Sequence, residues 1–139
     1  MQKLSYLLAF LFSAALGFSQ DNSENTLNPT SPEALAQQQL DAYNARDIEA
    51  FLAPYADSVE VYLFPNELQY KGKENMRPRY ARMFKEVPDL HCKLVNRIVQ
   101  KNTVIDQEEV TGFGEGKVIE AMAIYKIEKG KIAKVYFIQ

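Results

Sequence analysis

Asp106 and Glu108 are the residues of this chain whose type and spacing best suit chemistry. They lie two apart in a β-rich stretch, Thr103 to Thr111, and residues two apart on a strand point to the same side. If that side is desolvated, burial and mutual repulsion raise at least one carboxyl pKa, so that one acid donates a proton and the other accepts it. If it faces water, the pair is a solvated strand surface, the commoner place for acids. Register decides: a one-residue slip through Gly112-Phe113-Gly114-Glu115-Gly116 would turn Gln107 and Glu109 inward instead.

The remaining candidates stand alone. His91, the sole histidine, opens a strand and is either a proton carrier or a surface residue. Cys92 follows it, but strand neighbours point to opposite faces, which argues against a Cys–His nucleophile. A single cysteine forms no internal disulfide, and no Cys/His spacing resembles a zinc site; neither metal nor cofactor is expected. Tyr43, one helical turn after Gln39, and Tyr80 and Phe84, one turn apart on a later helix, read as core or as pocket wall.

These residues belong to a chain of ordinary globular make-up. It has 139 residues, 47% hydrophobic and 24% charged, enough for one domain with one core. The net charge of −2 is spread without a basic stripe, which leaves nothing to neutralise a phosphate backbone and excludes nucleic acid as a partner.

Residues 1–19 read as a secretory signal: Met1-Gln2-Lys3, an apolar run from Leu4 to Phe18, and small residues Gly17 and Ser19 that suit a cut before Gln20, a cut nearer Ala15 being the alternative. Residues 20–30 are polar with one aliphatic side chain and read as a flexible linker. The expectation is an exported domain, 31–139, periplasmic or extracellular, with no membrane attachment after cleavage.

Ser31-Pro32-Glu33 supplies an N-cap, a first-turn proline and an acid at the positive helix end, so a helix starts there. Asn44-Ala45-Arg46 closes it. Asp47 caps a short second helix that Pro54 stops. Val59 to Phe64 alternates as a strand, with a short extended piece at Leu68 to Tyr70. Lys73 to Lys85 makes a third helix carrying Met76, Tyr80 and either Phe84 or Met83. Strands follow at His91 to Val99, Thr103 to Thr111 and Lys117 to Ile138, the last broken at Glu128-Lys129-Gly130.

Tyr43-Asn44-Ala45-Arg46-Asp47-Ile48-Glu49-Ala50-Phe51-Leu52-Ala53-Pro54-Tyr55-Ala56-Asp57 resembles the opening of nuclear transport factor 2-like proteins, in the branch holding SnoaL-like cyclases and ketosteroid isomerases. The likeness continues at Tyr70-Lys71-Gly72-Lys73 and at Tyr125-Lys126-Ile127-Glu128-Lys129-Gly130-Lys131-Ile132. It implies an α+β fold: a cone-shaped, curved antiparallel sheet packed on three helices, a cystatin-like α+β roll, often dimeric, with a deep apolar cavity. It also allows a test of isomerase chemistry, which uses an Asp base with a Tyr and a protonated Asp as oxyanion donors. Carried over, those positions are Leu63 for the base, Gln39 for the tyrosine and Ala123 for the protonated acid. All three are vacant, which disfavours steroid isomerisation by that route.

A three-residue turn at Glu128-Lys129-Gly130 sets Tyr125, Ala123 and Ala121 opposite Ala133, Val135 and Phe137, an apolar and partly small face suited to a pocket for a small apolar molecule. The ungapped carry-over lays Asp106 and Glu108 beside Ala123 and Ala121 on it. The expected wall is Gln39, Tyr43, Leu63, Tyr80, Phe84, His91, Ala121, Ala123, Tyr125, Val135 and Phe137. The other face shows Glu120, Met122, Ile124, Lys134, Tyr136 and Ile138, either a homodimer contact or a solvated surface. Three functions stay open: a binding module for an apolar or aromatic metabolite, a proton-transferring isomerase, cyclase or lyase, and an interaction domain.

Overall fold

The computed structural model describes residues 28–139. The expected signal, 1–19, and most of the linker lie outside the described residues; the linker's last residues, 28–30, form a turn in which Asn28 Oδ1 accepts from Thr30 N and Oγ1.

Both N-terminal helices start where side chains satisfy the free amides. Ser31 accepts from Ala34 N ahead of α1 (Pro32–Ala45), and Asp47 accepts from Ala50 N ahead of α2 (Ile48–Leu52). Arg46, in the left-handed region with φ 55°, ends α1. Strands β1 (Tyr55–Leu63) and β2 (Glu67–Lys71) precede α3 (Lys73–Glu86), which runs on through Pro78. Four strands complete the chain: β3 (His91–Gln100), β4 (Thr103–Thr111), β5 (Ile119–Glu128) and β6 (Lys131–Ile138).

The six strands form one curved sheet in the order β2-β1-β6-β5-β4-β3, antiparallel except where β1 lies parallel to β6. The expected α+β architecture of three helices on a bent sheet is the one observed. The helices cover the concave face: Leu35 and Ala36 of α1, Phe51 and Leu52 of α2 and Met76 of α3 close on Val59, Val104, Ala123, Ile132 and Val135. Burial of these apolar side chains supplies the main stabilisation.

The β5–β6 turn differs from expectation. Its loop is two residues, Lys129 and Gly130, both at positive φ (51° and 71°), which matches the sheet's twist. An irregularity just beyond it, where Lys126 pairs Lys134 but Ile127 pairs Ile132, leaves Ala133 as the extra residue and shifts the register opposite to the way the longer loop would have shifted it. Ala123 therefore faces Phe137 and Tyr125 faces Val135, each two residues along β6 from the expected partners Val135 and Ala133, which keeps Val135 and Phe137 on the same face of the sheet.

On the convex face the register aligns Leu68, Tyr62, Tyr136, Ile124, Ile105 and Ile98, one from each strand. The Tyr62 and Tyr136 rings stack at 4.9 Å.

Candidate functional site

Strand β4 is the spine of the site. Across the glycine-rich connection it pairs with β5 so that Asp106 faces Ala123 and Glu108 faces Ala121, the register expected without a slip. Both acids turn inward and are buried, 0% and 7% exposed. They do not share a role. Asp106 is held by Arg97, its direct partner on β3, through both carboxylate oxygens, and it stays outside the cavity wall. Glu108 opens into the cavity.

That cavity measures about 360 Å³ and lies between the concave sheet and helices α1 and α3. Such a volume suits a small organic molecule. Eight aromatic side chains line it: Tyr43, Phe51, Tyr55, Tyr70, Tyr80, Phe113, Tyr125 and Phe137. Its one buried carboxyl is Glu108.

A directed chain of hydrogen bonds ends on that carboxyl. Tyr55 donates to Gln39 Oε1 at 3.3 Å, Gln39 Nε2 donates to the Tyr125 oxygen at 2.9 Å, and Tyr125 donates to Glu108 Oε1 at 3.4 Å. Burial holds the Tyr55 and Tyr125 phenols well above their ordinary pKa, so they act as neutral donors. Cys92 also points inward and donates to Glu108; burial pushes its thiol up, with the carboxyl adding to the effect.

Glu108 is raised from 4.5 to about 7, first because burial penalises the charged form and next because Asp106 lies close; the Tyr125 and Cys92 donors and Arg97 pull the other way. A carboxyl balanced near neutrality in an apolar cleft can both take and return a proton.

Several expected wall residues stand elsewhere. His91 is exposed, because the alternation that turns Cys92 inward turns His91 out. Leu63 is half buried at the end of β1, past an irregularity in the β1–β2 pairing, and Val61 takes its place on the wall. Phe84 packs into the aromatic cluster with Tyr43 and Phe51, at 5.5 and 5.6 Å, so α3 presents Tyr80 and Met83 to the cavity. Ala123 and Val135 are fully covered core residues. Tyr125 must reach past Ala123 to touch Glu108, which lies opposite Ala121 four residues along β5, and so seals Ala123 from the cavity. Gln39, Tyr43, Tyr80, Ala121, Tyr125 and Phe137 line the cavity as expected.

Sequence reasoning missed Tyr55, Tyr70, Arg79, Cys92 and Arg97. Arg97 was within reach: a two-residue turn at Lys101-Asn102 sets it directly opposite Asp106.

Residues 36–135 match the sequence profile of the SnoaL-like domain. The chain belongs to the SnoaL-like domain family. Its relatives in space lie within the nuclear transport factor 2-like and ketosteroid isomerase-like group. An uncharacterized cystatin-fold protein from Novosphingobium aromaticivorans superposes with a TM-score of 0.72 at 24% identity, over 78% of this chain and 98% of that one. A structure provisionally named a polyketide cyclase, from Sinorhizobium meliloti, gives 0.64 at 15% identity, over 75% and 93%. One provisionally named a ketosteroid isomerase, from Kribbella flavida, gives 0.62 at 20% identity, over 76% and 75%. At these identities the likeness concerns the fold. No curated protein sequence matches the chain.

Proposed function

We propose that this SnoaL-like protein binds a small, largely apolar molecule in the cavity and moves a proton on it, with Glu108 as the base and then the acid. The observation that carries the reading is a buried carboxyl, balanced near pH 7, facing an aromatic cavity of about 360 Å³. The reaction class is isomerisation, cyclisation or elimination through a carbon acid, which needs no cofactor. The cyclase and isomerase names of structural neighbours agree with it at the level of fold. Asp106 does not touch the cavity, so one carboxyl serves in both directions while Asp106 tunes it.

The test uses 5-nitrobenzisoxazole, a generic probe from whose carbon a base takes a proton while the ring N–O bond breaks to leave a phenolate. Wild-type protein should open it with a rate that rises through about pH 7, and Glu108→Gln should lose about a hundredfold or more of that rate. If the probe binds but the two proteins open it equally slowly, the pocket is a binding module. The vacant positions Gln39, Leu63 and Ala123 favour that second reading, since none supplies the isomerase base or acid.

Two further proposals concern context. The apolar row from Leu68 to Ile98, flanked by Glu60, Glu120, Lys126 and Lys134, suits a homodimer formed by convex faces: it is apolar along its middle and mixed in charge at its sides. Sedimentation should show a dimer that Tyr136→Glu dissociates; a wild-type monomer at micromolar concentration would end the idea. Residues 1–19 are proposed to direct export, and a fusion retained in the cytoplasm with its leader uncut would refute that.

A further inference from the structure

The cavity wall is graded by depth. Its exposed members, and hence its mouth, are Gln69, Arg79, Phe113 and Gln139; Glu108 sits on the floor among buried residues. Arg79 is the one cationic side chain on that wall.

The chain's other four arginines all have acceptors. Arg46 donates to the Leu90 carbonyl, Arg77 pairs with Glu49, Arg82 with Glu86, and Arg97 with Asp106. Within the described residues Arg79 is the one arginine with neither a hydrogen-bond acceptor nor an ion-pair partner. Arg77 and Arg82, on the same helix, show that acids are within reach of α3 where a partner is wanted.

Arg79 is nevertheless held in place. Its guanidinium carbon lies 4.6 Å from the centroid of the Tyr70 ring, itself part of the wall. The ring holds the guanidinium without using its N–H groups, which have no acceptor among the described residues and are free to receive a carboxylate through two parallel hydrogen bonds. A positive mouth also repels cations, so the aromatic wall is poorly placed to serve as a cage for an amine.

We infer that the ligand is an aromatic or alicyclic carboxylate, its anionic group held by Arg79 at the mouth, its ring among the tyrosines and phenylalanines, and its reacting end at Glu108. This rests on the ligand-cavity reading above and adds the substrate class. The fixed positions of Arg79 and Glu108 then set the ligand's direction of entry.

Naphthalene-2-carboxylate and naphthalene-2-carboxamide, nearly equal in size and differing in charge, separate the possibilities by calorimetry on wild-type protein and Arg79→Gln. The carboxylate should bind wild type about tenfold more tightly than the amide, and the variant should lose that advantage while binding the amide unchanged. Added salt should weaken the carboxylate alone. Equal binding of the two probes, or a carboxylate preference that survives in Arg79→Gln, overturns the role of Arg79 and leaves the cavity reading standing. Tighter binding of 2-naphthylmethylammonium than of either probe overturns it in favour of a cation site. Failure of all three to bind overturns the cavity reading as well.

Discussion

Arg97 grips Asp106 through both carboxylate oxygens, Nε to Oδ1 at 2.7 Å and Nη2 to Oδ2 at 2.8 Å, directly across β3 and β4. The two side chains are 10% and 0% exposed, so water screens the pair little. A third contact, Arg97 Nη1 to Gln37 Oε1 at 2.8 Å, ties the guanidinium to α1. The pair thus ties β3 and β4 to α1 behind the cavity wall and sets a charge beside Glu108.

Removing one partner strands the other. Asp106→Asn should destabilise the fold by about 3–5 kcal/mol in urea titrations, because a largely buried guanidinium loses its counter-charge. The double variant Arg97→Met with Asp106→Leu should recover most of that loss, since apolar groups of similar volume need no partner. A fully stable single variant would show that the pair carries no structural weight.

Glu108 ties stability to pH in a direction opposite to that of a salt-bridged acid. Its folded pKa of about 7 exceeds the ordinary 4.5. The folded state therefore holds a proton that the unfolded state releases between those values. Its contribution is complete below about pH 4.5 and is lost as pH rises through about 7, a change of roughly 3 kcal/mol. The difference in unfolding free energy between wild type and Glu108→Gln should follow that curve. Parallel stability profiles for the two proteins would mean that the carboxyl titrates normally.

Tyr125→Phe separates the hydrogen bond from the packing. The phenol donates to Glu108 and helps hold its charged form, so its loss should move the carboxyl pKa further up from about 7. It also leaves the Gln39 amide without its acceptor in a buried setting, at a penalty of about 1–3 kcal/mol. Carboxyl carbon NMR shifts of labelled Glu108 would read the first effect. A pKa that falls instead would rule out Tyr125 as the donor.

Local rules made the scaffold legible. Ser31, Asp47 and Pro54 each act on their own few residues, and the strand at Asp106 carries its period in the sequence. The inward turn of Glu108 followed from that period and the β4–β5 register. What escaped was long-range: Gln39 meets Tyr125 across 86 residues, and Tyr55 reaches Gln39 from a strand no local signal extended so far back. The irregularity at Val95 shifts β3 against β4, setting Leu94 opposite Glu108 and Cys92 opposite Val110, and nothing in the residue types announces it. Leu63 and Phe84 failed as wall residues for a related reason. Each lies on the expected face, but a face says nothing of where along it the void begins.

The mouth of the cavity depends on a backbone conformation that only glycine adopts comfortably. Gly112 leaves β4 at φ 109°, and a Cβ there would lie 2.7 Å from the Asp89 carbonyl oxygen and 2.8 Å from Leu90 Cα. Both neighbours are backbone, so neither can swing aside. Gly112→Ala should destabilise the protein by about 1–3 kcal/mol and displace the adjoining Phe113, weakening binding of naphthalene-2-carboxylate. Gly116 offers the comparison: its φ of 67° is one that asparagine tolerates, and a Cβ there meets nothing within 4 Å. Gly116→Asn should therefore cost well under about 1 kcal/mol and leave binding unchanged. Equal effects from both variants in thermal melts and calorimetry would show that loop flexibility, and not the contact with Asp89, shapes the entrance.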